Sequence, residues 1–193
     1  MKPILFHTDM VRAILEGRKT VTRRVVKPQP VGQPAQMGED SCWPGCFASA
    51  DDERVYRPPY QPGDILWVRE TWAHPSKEEI ARGTDKNIFL YRADVPSVLY
   101  AWDHWNPSIH MPREAARIFL RVTGVRVERL RDVKYFDCLA EGILYRQMET
   151  DIVQDFSTLW DTTIKPADRA AYGWGANPWV WVIQFERTKE LGP

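Results

Sequence analysis

Apolar and polar positions alternate along this chain with periods that change from helical to extended and back. Met10, Val11, Ile14 and Leu15 recur at helical spacing behind Thr8 and Asp9, which suit a helix start. Gly17 then suits the left-handed position that ends such a helix. Across residues 18–26 the period becomes two: extended backbone puts Thr20, Thr22 and Arg24 on one face and Lys19, Val21 and Arg23 on the other. Pro28 and Pro30 end that element. Pro62, Gly63 and Asp64 form a turn feeding an apolar strand at residues 65–68, with Arg69, Glu70 and Thr71 at its end as polar site candidates. Further on, the pattern predicts a strand at 88–91, a first helical turn at 112–117, and a long strand over 118–123 and 125–127 with a bulge or bend at Gly124. Short amphipathic helices at 135–140 and 152–160 precede a closing strand at 179–185.

Two stretches resist this reading. Residues 27–62 contain seven prolines and read as a long irregular excursion, and the segment from 73 to 111 is mixed, with an aromatic and polar cluster at 100–105 that has no assignable period. Both are taken as loop insertions in one domain spanning residues 1–193. The excursion at 27–61 is long enough to act as a lid over a cleft. Strands joined by irregular connections rather than regular crossover helices favour an α+β, mainly β fold, a small mixed or antiparallel barrel, over a doubly wound sheet.

Composition narrows the function classes. The 193 residues carry 26 Lys+Arg against 26 Asp+Glu and are 44% hydrophobic, the balance of a globular domain rather than a disordered tail. No stretch approaches the roughly 20 apolar residues of a membrane span, and the N-terminus lacks a signal-peptide core, so a cytoplasmic protein without membrane partners is expected. A net charge of zero excludes bulk electrostatic coating of nucleic acid but leaves room for a local basic patch. Three cysteines, an odd number, argue against a disulfide framework. Cys42 and Cys46 are close enough for a metal, with His74, His104 and His110 as further donors. A second ligand pair at metal spacing is missing, so neither a metal nor another cofactor is expected.

The candidate chemistry centres on Gly17, Lys19, Thr22 and Arg24, a lysine, a hydroxyl and a guanidinium placed just after a helix stop. By composition alone the run is either a solvated basic strand start or a site. Arg18, Arg23, Arg126 and Arg129 would grip phosphates as a basic rim, or form a solvated face with Glu128 and Asp132. Among nine tryptophans, Trp67, Trp72, Trp102, Trp105 and Trp174 are candidate base-stacking surfaces, whereas Trp179 and Trp181 alternate with valines and read as core.

The run Gly17-x-Lys19-x-x-Thr22-x-Arg24 resembles the signature of the ASCH domain, a PUA-like β-barrel family associated with RNA. The segments PGDILWVRETW and NPWVWVIQFER, together with the opening KPILFHTDMVRAILEGRKTVTRRVVKPQP, are similar to ASCH proteins of bacteriophages and prophages. The resemblance implies a barrel with a cleft beside the signature and a ligand that is RNA or a modified nucleoside or nucleotide, with Gly17, Arg23, Arg24, Arg69, Trp72 and Arg121 on the binding side. One branch of the family is an amidohydrolase on N4-acetylcytidine, using the signature lysine as base, a threonine as nucleophile and a glutamate as acid. Lys19 and Thr22 match the first two roles, and a hydroxyl activated by a neighbouring amine is sound chemistry. The acid position holds Arg121, which cannot donate a proton at neutral pH. Glu70 then becomes the candidate acid, on the hypothesis that Glu70 and Arg121 have exchanged places and approach each other near Lys19. Binding of RNA or a nucleoside is the leading expectation, with hydrolysis of that ligand, as amidohydrolase or ribonuclease, and a structural role in a virion as alternatives.

Overall fold

The computed structural model describes residues 1–83, 85, 88–95, 105–145 and 148–189. The elements run β1 (Lys2–Leu5), α1 (Thr8–Leu15), β2 (Val21–Val25), β3 (Ala35–Gln36), β4 (Phe47–Ser49), β5 (Arg54–Tyr56), β6 (Ile65–Arg69), β7 (Trp72–Ala73), α2 (Lys77–Ala81), β8 (Leu90–Tyr91), β9 (Phe119–Arg129), α3 (Tyr135–Ala140), α4 (Glu149–Thr163), α5 (Arg169–Tyr172) and β10 (Trp179–Thr188). The fold is α+β and mainly β, built on a mixed sheet of hydrogen-bonded order β1-β6-β9-β10-β2. Among the described residues no helix is long and apolar enough to cross a membrane.

The chain divides into two compact units, Met1–Gly17 with Ile65–Arg121 and Arg187–Pro193, and Arg18–Asp64 with Val122–Glu186. In the first, β1 runs parallel to β6, and β6 pairs antiparallel with the start of β9, Ile65 opposite Arg121 and Trp67 opposite Phe119. Ile4, Val11, Ile14, Leu66, Val68 and Leu120 are buried here, each contributing about 1.5–3 kcal/mol by leaving water. Helix α1 ends at Gly17 with φ +76°, the left-handed conformation a glycine adopts without strain. Its start differs from the expected cap: His7 takes the capping position and its carbonyl accepts from Val11, with no side-chain cap.

In the second unit, β10 pairs antiparallel with β2, with Arg24 opposite Trp181, Arg23 opposite Val182 and Thr22 opposite Ile183. Directly opposed residues share a face, so the alternation sorts this pair of strands cleanly. Val21, Val180 and Val182 join Leu130, Val133, Cys138, Ile152, Phe156 and Trp160 in one core beneath α3 and α4. Thr22, Arg24, Trp181 and Ile183 occupy the other face. The excursion at 27–61 is not irregular throughout, as its prolines suggested: β3, β4 and β5 form a three-stranded antiparallel sheet. Phe47 on β4 meets Trp181 edge to face at 5.3 Å, so this small sheet packs on the face that carries Arg24.

Strand β9 runs on through Gly124, and the side-chain oxygen of Gln184 on β10 stands over this residue, 2.7 Å from where a Cβ would lie. Residues 112–117 hold only a 3-10 turn at Arg113–Ala115, and the strand predicted at 88–91 shrinks to Leu90–Tyr91. Helix α4 extends beyond the predicted 152–160 at both ends. Trp102 and His104, and most of the cluster at 100–105, lie outside the described residues.

Candidate functional site

The signature forms a clamp on the carboxyl end of a helix. A helix leaves its last carbonyls without intrahelical partners. At α3 three consecutive residues of the signature run supply them: Arg18 Nη1 donates to Gly142 O at 2.8 Å, Lys19 Nζ to Glu141 O at 2.8 Å, and the Thr20 backbone N–H to Ala140 O at 2.9 Å. Gly142, with φ +96°, makes the sharp exit this arrangement requires. Two cations at a helix C-terminus also favour its dipole.

Lys19 does more than cap. Its ammonium donates to Val21 O at 2.7 Å and to Glu141 Oε2 at 2.6 Å as well, so all three N–H groups meet acceptors. The pair is sealed, with side-chain exposure of 1% for Lys19 and 7% for Glu141. Burial holds the Lys19 ammonium below the ordinary lysine range, and the attraction of Glu141 only partly opposes this. Arg23, on the same face, donates to Glu141 Oε1 at 3.2 Å and to Glu128 Oε1 at 2.6 Å, and lies 3.5 Å from Asp137. Against the cost of burial, Glu141 and Glu128 raise its pKa, so its charge is secure. Arg126 completes the group through Glu128 Oε2 at 3.1 Å and Asp137 Oδ1 at 3.4 Å. A basic rim of free arginines is therefore not what this face presents. Arg129 likewise donates to Asn177 O and covers the Trp179 ring at 4.3 Å.

Arg24 faces the other way. It is half-buried opposite Trp181, within electrostatic range of Tyr60 and of Glu141. Burial lowers its pKa, with Glu141 and Tyr60 opposing only in part. The Tyr60 phenol is raised by burial, with Arg24 opposing. Thr22 lies two positions along the same face and is buried.

Glu70 is claimed elsewhere. In the first unit Arg117 holds it in a fork, Nε to Oε1 at 2.9 Å and Nη2 to Oε2 at 3.0 Å, while Arg117 Nη1 reaches Asp94 at 2.6 Å and its guanidinium stacks over Tyr91 at 3.8 Å. Burial raises the Glu70 pKa and Arg117 opposes the rise. This corrects the expected Glu70–Arg121 exchange: the partner is Arg117, four residues earlier, and Arg121 sits half-buried in the ladder opposite Ile65. The carboxylate beside Lys19 is Glu141, which sequence reasoning missed. Its signal was the Glu141-Gly142 pair ending a helix, readable as a cap but not as a partner of a residue more than a hundred positions away.

Trp72 is likewise not a stacking surface. It is buried with Met111 and Ala115, edge to face against His74 and Phe89. Arg69 donates to Ile109 O and lies over Trp67 at 5.5 Å. Gly17 is exposed and serves the helix end. Cys42 is exposed and Cys46 buried, and among the described residues no group of three or more His, Cys, Asp or Glu is placed to hold a metal ion. No family model, no curated protein and no solved structure matches the chain.

Proposed function

We propose that this is an ASCH-type domain, its mixed sheet forming the wall of a PUA-like barrel, that binds RNA or a modified nucleoside on the β2 face carrying Arg24. The observation that carries this reading is the sorting of the signature by strand alternation. Lys19 and Arg23 are committed to Glu141 and the end of α3, whereas Arg24 and Thr22 leave on the alternate face beside Trp181, where Arg24 stays partly exposed within electrostatic range of the Tyr60 hydroxyl. A guanidinium suits a phosphate or an exocyclic carbonyl oxygen, and the hydroxyls suit sugar or base edges.

The saturation of Lys19 argues against the hydrolase alternative. An ammonium with three donated hydrogen bonds has no lone pair with which to take a proton from Thr22.

The test is to titrate a short single-stranded RNA and N4-acetylcytidine into the protein, Arg24→Met and Thr22→Val, following affinity and product mass together. Affinity for at least one ligand is expected to fall about tenfold in Arg24→Met, without turnover. Unchanged affinity in both variants overturns the reading. Release of acetate or cleaved RNA that disappears in Thr22→Val would replace it with the hydrolase.

A further inference from the structure

We infer that the cavity between α3, α4 and Trp174 is a second site, which takes a single uncharged planar heteroaromatic ring with its attached sugar, a free nucleoside rather than a strand. The cavity has a volume of about 360 Å³ and is lined by Tyr135, Thr150, Val153, Gln154, Ser157 and Trp174. That volume lies at the lower end of the roughly 300–1,000 Å³ of small-molecule pockets, room for one nucleoside.

The chemistry of the wall selects the ligand. Tyr135 and Trp174 contribute aromatic surface, which stacks on any heterocycle. The Gln154 side chain offers both a donor and an acceptor, the pattern needed to read the edge of a base, and Thr150 adds a hydroxyl. Ser157 Oγ donates to Gln154 O at 2.8 Å, which leaves its lone pairs as acceptors. No lining residue carries a charge. A wall with no cation of its own gives a phosphate chain nothing to pair with, so the site favours a neutral nucleoside.

The wall is also held in place before any ligand arrives. The Trp174 backbone N–H donates to Asp161 Oδ1 at 2.7 Å, Arg131 Nε donates to Trp174 O at 3.1 Å, and Arg131 Nη2 reaches Gly175 O at 3.2 Å. The Trp174 ring rests edge to face on Phe156, and Tyr135 on Phe136 at 5.0 Å. Half-buried aromatic groups fixed by their own backbones lose little entropy on binding. Tyr135 and Trp174 pack on the core that contains Val21, Val180 and Val182, so this cavity lies across the β2–β10 pair from Arg24. It therefore stands or falls independently of the function proposed above.

Adenosine and cytidine titrated into the intact protein, with the indole N–H resonances followed by NMR, test the assignment. The expected result is a saturable shift of the Trp174 indole signal, identified by its loss in Trp174→Leu. Affinity is expected to fall about fivefold in the exposed-site variant Gln154→Ala and to stay unchanged in Arg24→Met. Hexa-adenylate should bind more weakly at this signal than adenosine. No shift with either nucleoside, an affinity indifferent to Gln154→Ala, or tighter binding of hexa-adenylate would each overturn the proposal. Because Gln154 is on the surface of α4, its variant keeps the test valid if Trp174→Leu fails to fold.

Discussion

Among the described residues two buried carboxylates, Glu141 and Glu70, are held against cations, and the two are built differently. Glu141 is shared by Lys19 and Arg23 at the end of α3, with every member nearly closed to solvent. Glu70 is gripped by one guanidinium, and that guanidinium remains 25% exposed while its second carboxylate, Asp94, is 52% exposed. The first arrangement joins a strand to a helix end and spends the lysine's full donor capacity. The second is a fork at the margin of its unit, open to water on one side. A charged run can thus be structural where it is sealed, and in the reading proposed above the ligand meets the alternate residues of the same strand.

Removing the shared carboxylate is the strongest way to break this contrast. Glu141→Ala strands Lys19 and Arg23 without their common partner, and equilibrium denaturation should show a loss of about 3–5 kcal/mol, the usual cost of breaking a buried pair from one side. Glu70→Gln should cost less, about 1–3 kcal/mol, because Arg117 keeps Asp94 and water within reach. A larger loss in Glu70→Gln than in Glu141→Ala would erase the distinction between a sealed and an open site.

The core behind the sealed cluster supplies a pH test. Burial pushes the Cys138 thiol up from 9.0 to about 12. The unfolded chain loses this proton near its ordinary value while the folded chain keeps it. The contribution is therefore complete below about pH 9 and drains away toward pH 12, at up to about 1.4 kcal/mol per pH unit. The difference between stability curves of the protein and Cys138→Ala should decline across that window. A flat difference would mean that the core under α3 admits water.

Two smaller effects sharpen the comparison. Arg24→Met should cost about 1 kcal/mol, less than Glu141→Ala, because Arg24 is half-buried and Lys19 and Arg23 keep Glu141 paired, while weakening binding of the ligand proposed above. A loss as large as that of Glu141→Ala would move Arg24 into the structural cluster. Thiol labelling at neutral pH should modify Cys42, which is exposed, far faster than Cys138, which is buried. Equal rates would show that the α3 region opens readily.

Local patterns were legible where one residue type has one physical job. Gly17 ends α1 because a left-handed position wants glycine, and the alternation from Lys19 to Arg24 sorted side chains onto the two faces that β2 presents. Residues 27–61 were not legible, because prolines mask strands as short as Phe47–Ser49, whose pairing comes from cross-strand bonds. Gly124 has a reason that no local pattern carries: it makes room for Gln184 from the neighbouring strand.

By itself, the sequence determined which residues could share a face, where helices stop, and that a lysine, a threonine and an arginine follow the first helix. Only the tertiary structure decided what those residues meet. Lys19 and Glu141 are 122 positions apart, and no local period connects them. Glu70, which stands just after a strand as a site acid should, is captured by Arg117 from 47 positions away. Electrostatic partnership is a matter of distance and burial, and both are set by how β2 packs against the end of α3 and how Arg117 is carried to Glu70. Periodicity reads the direction in which a side chain leaves its own backbone; it holds no information about the group that waits there.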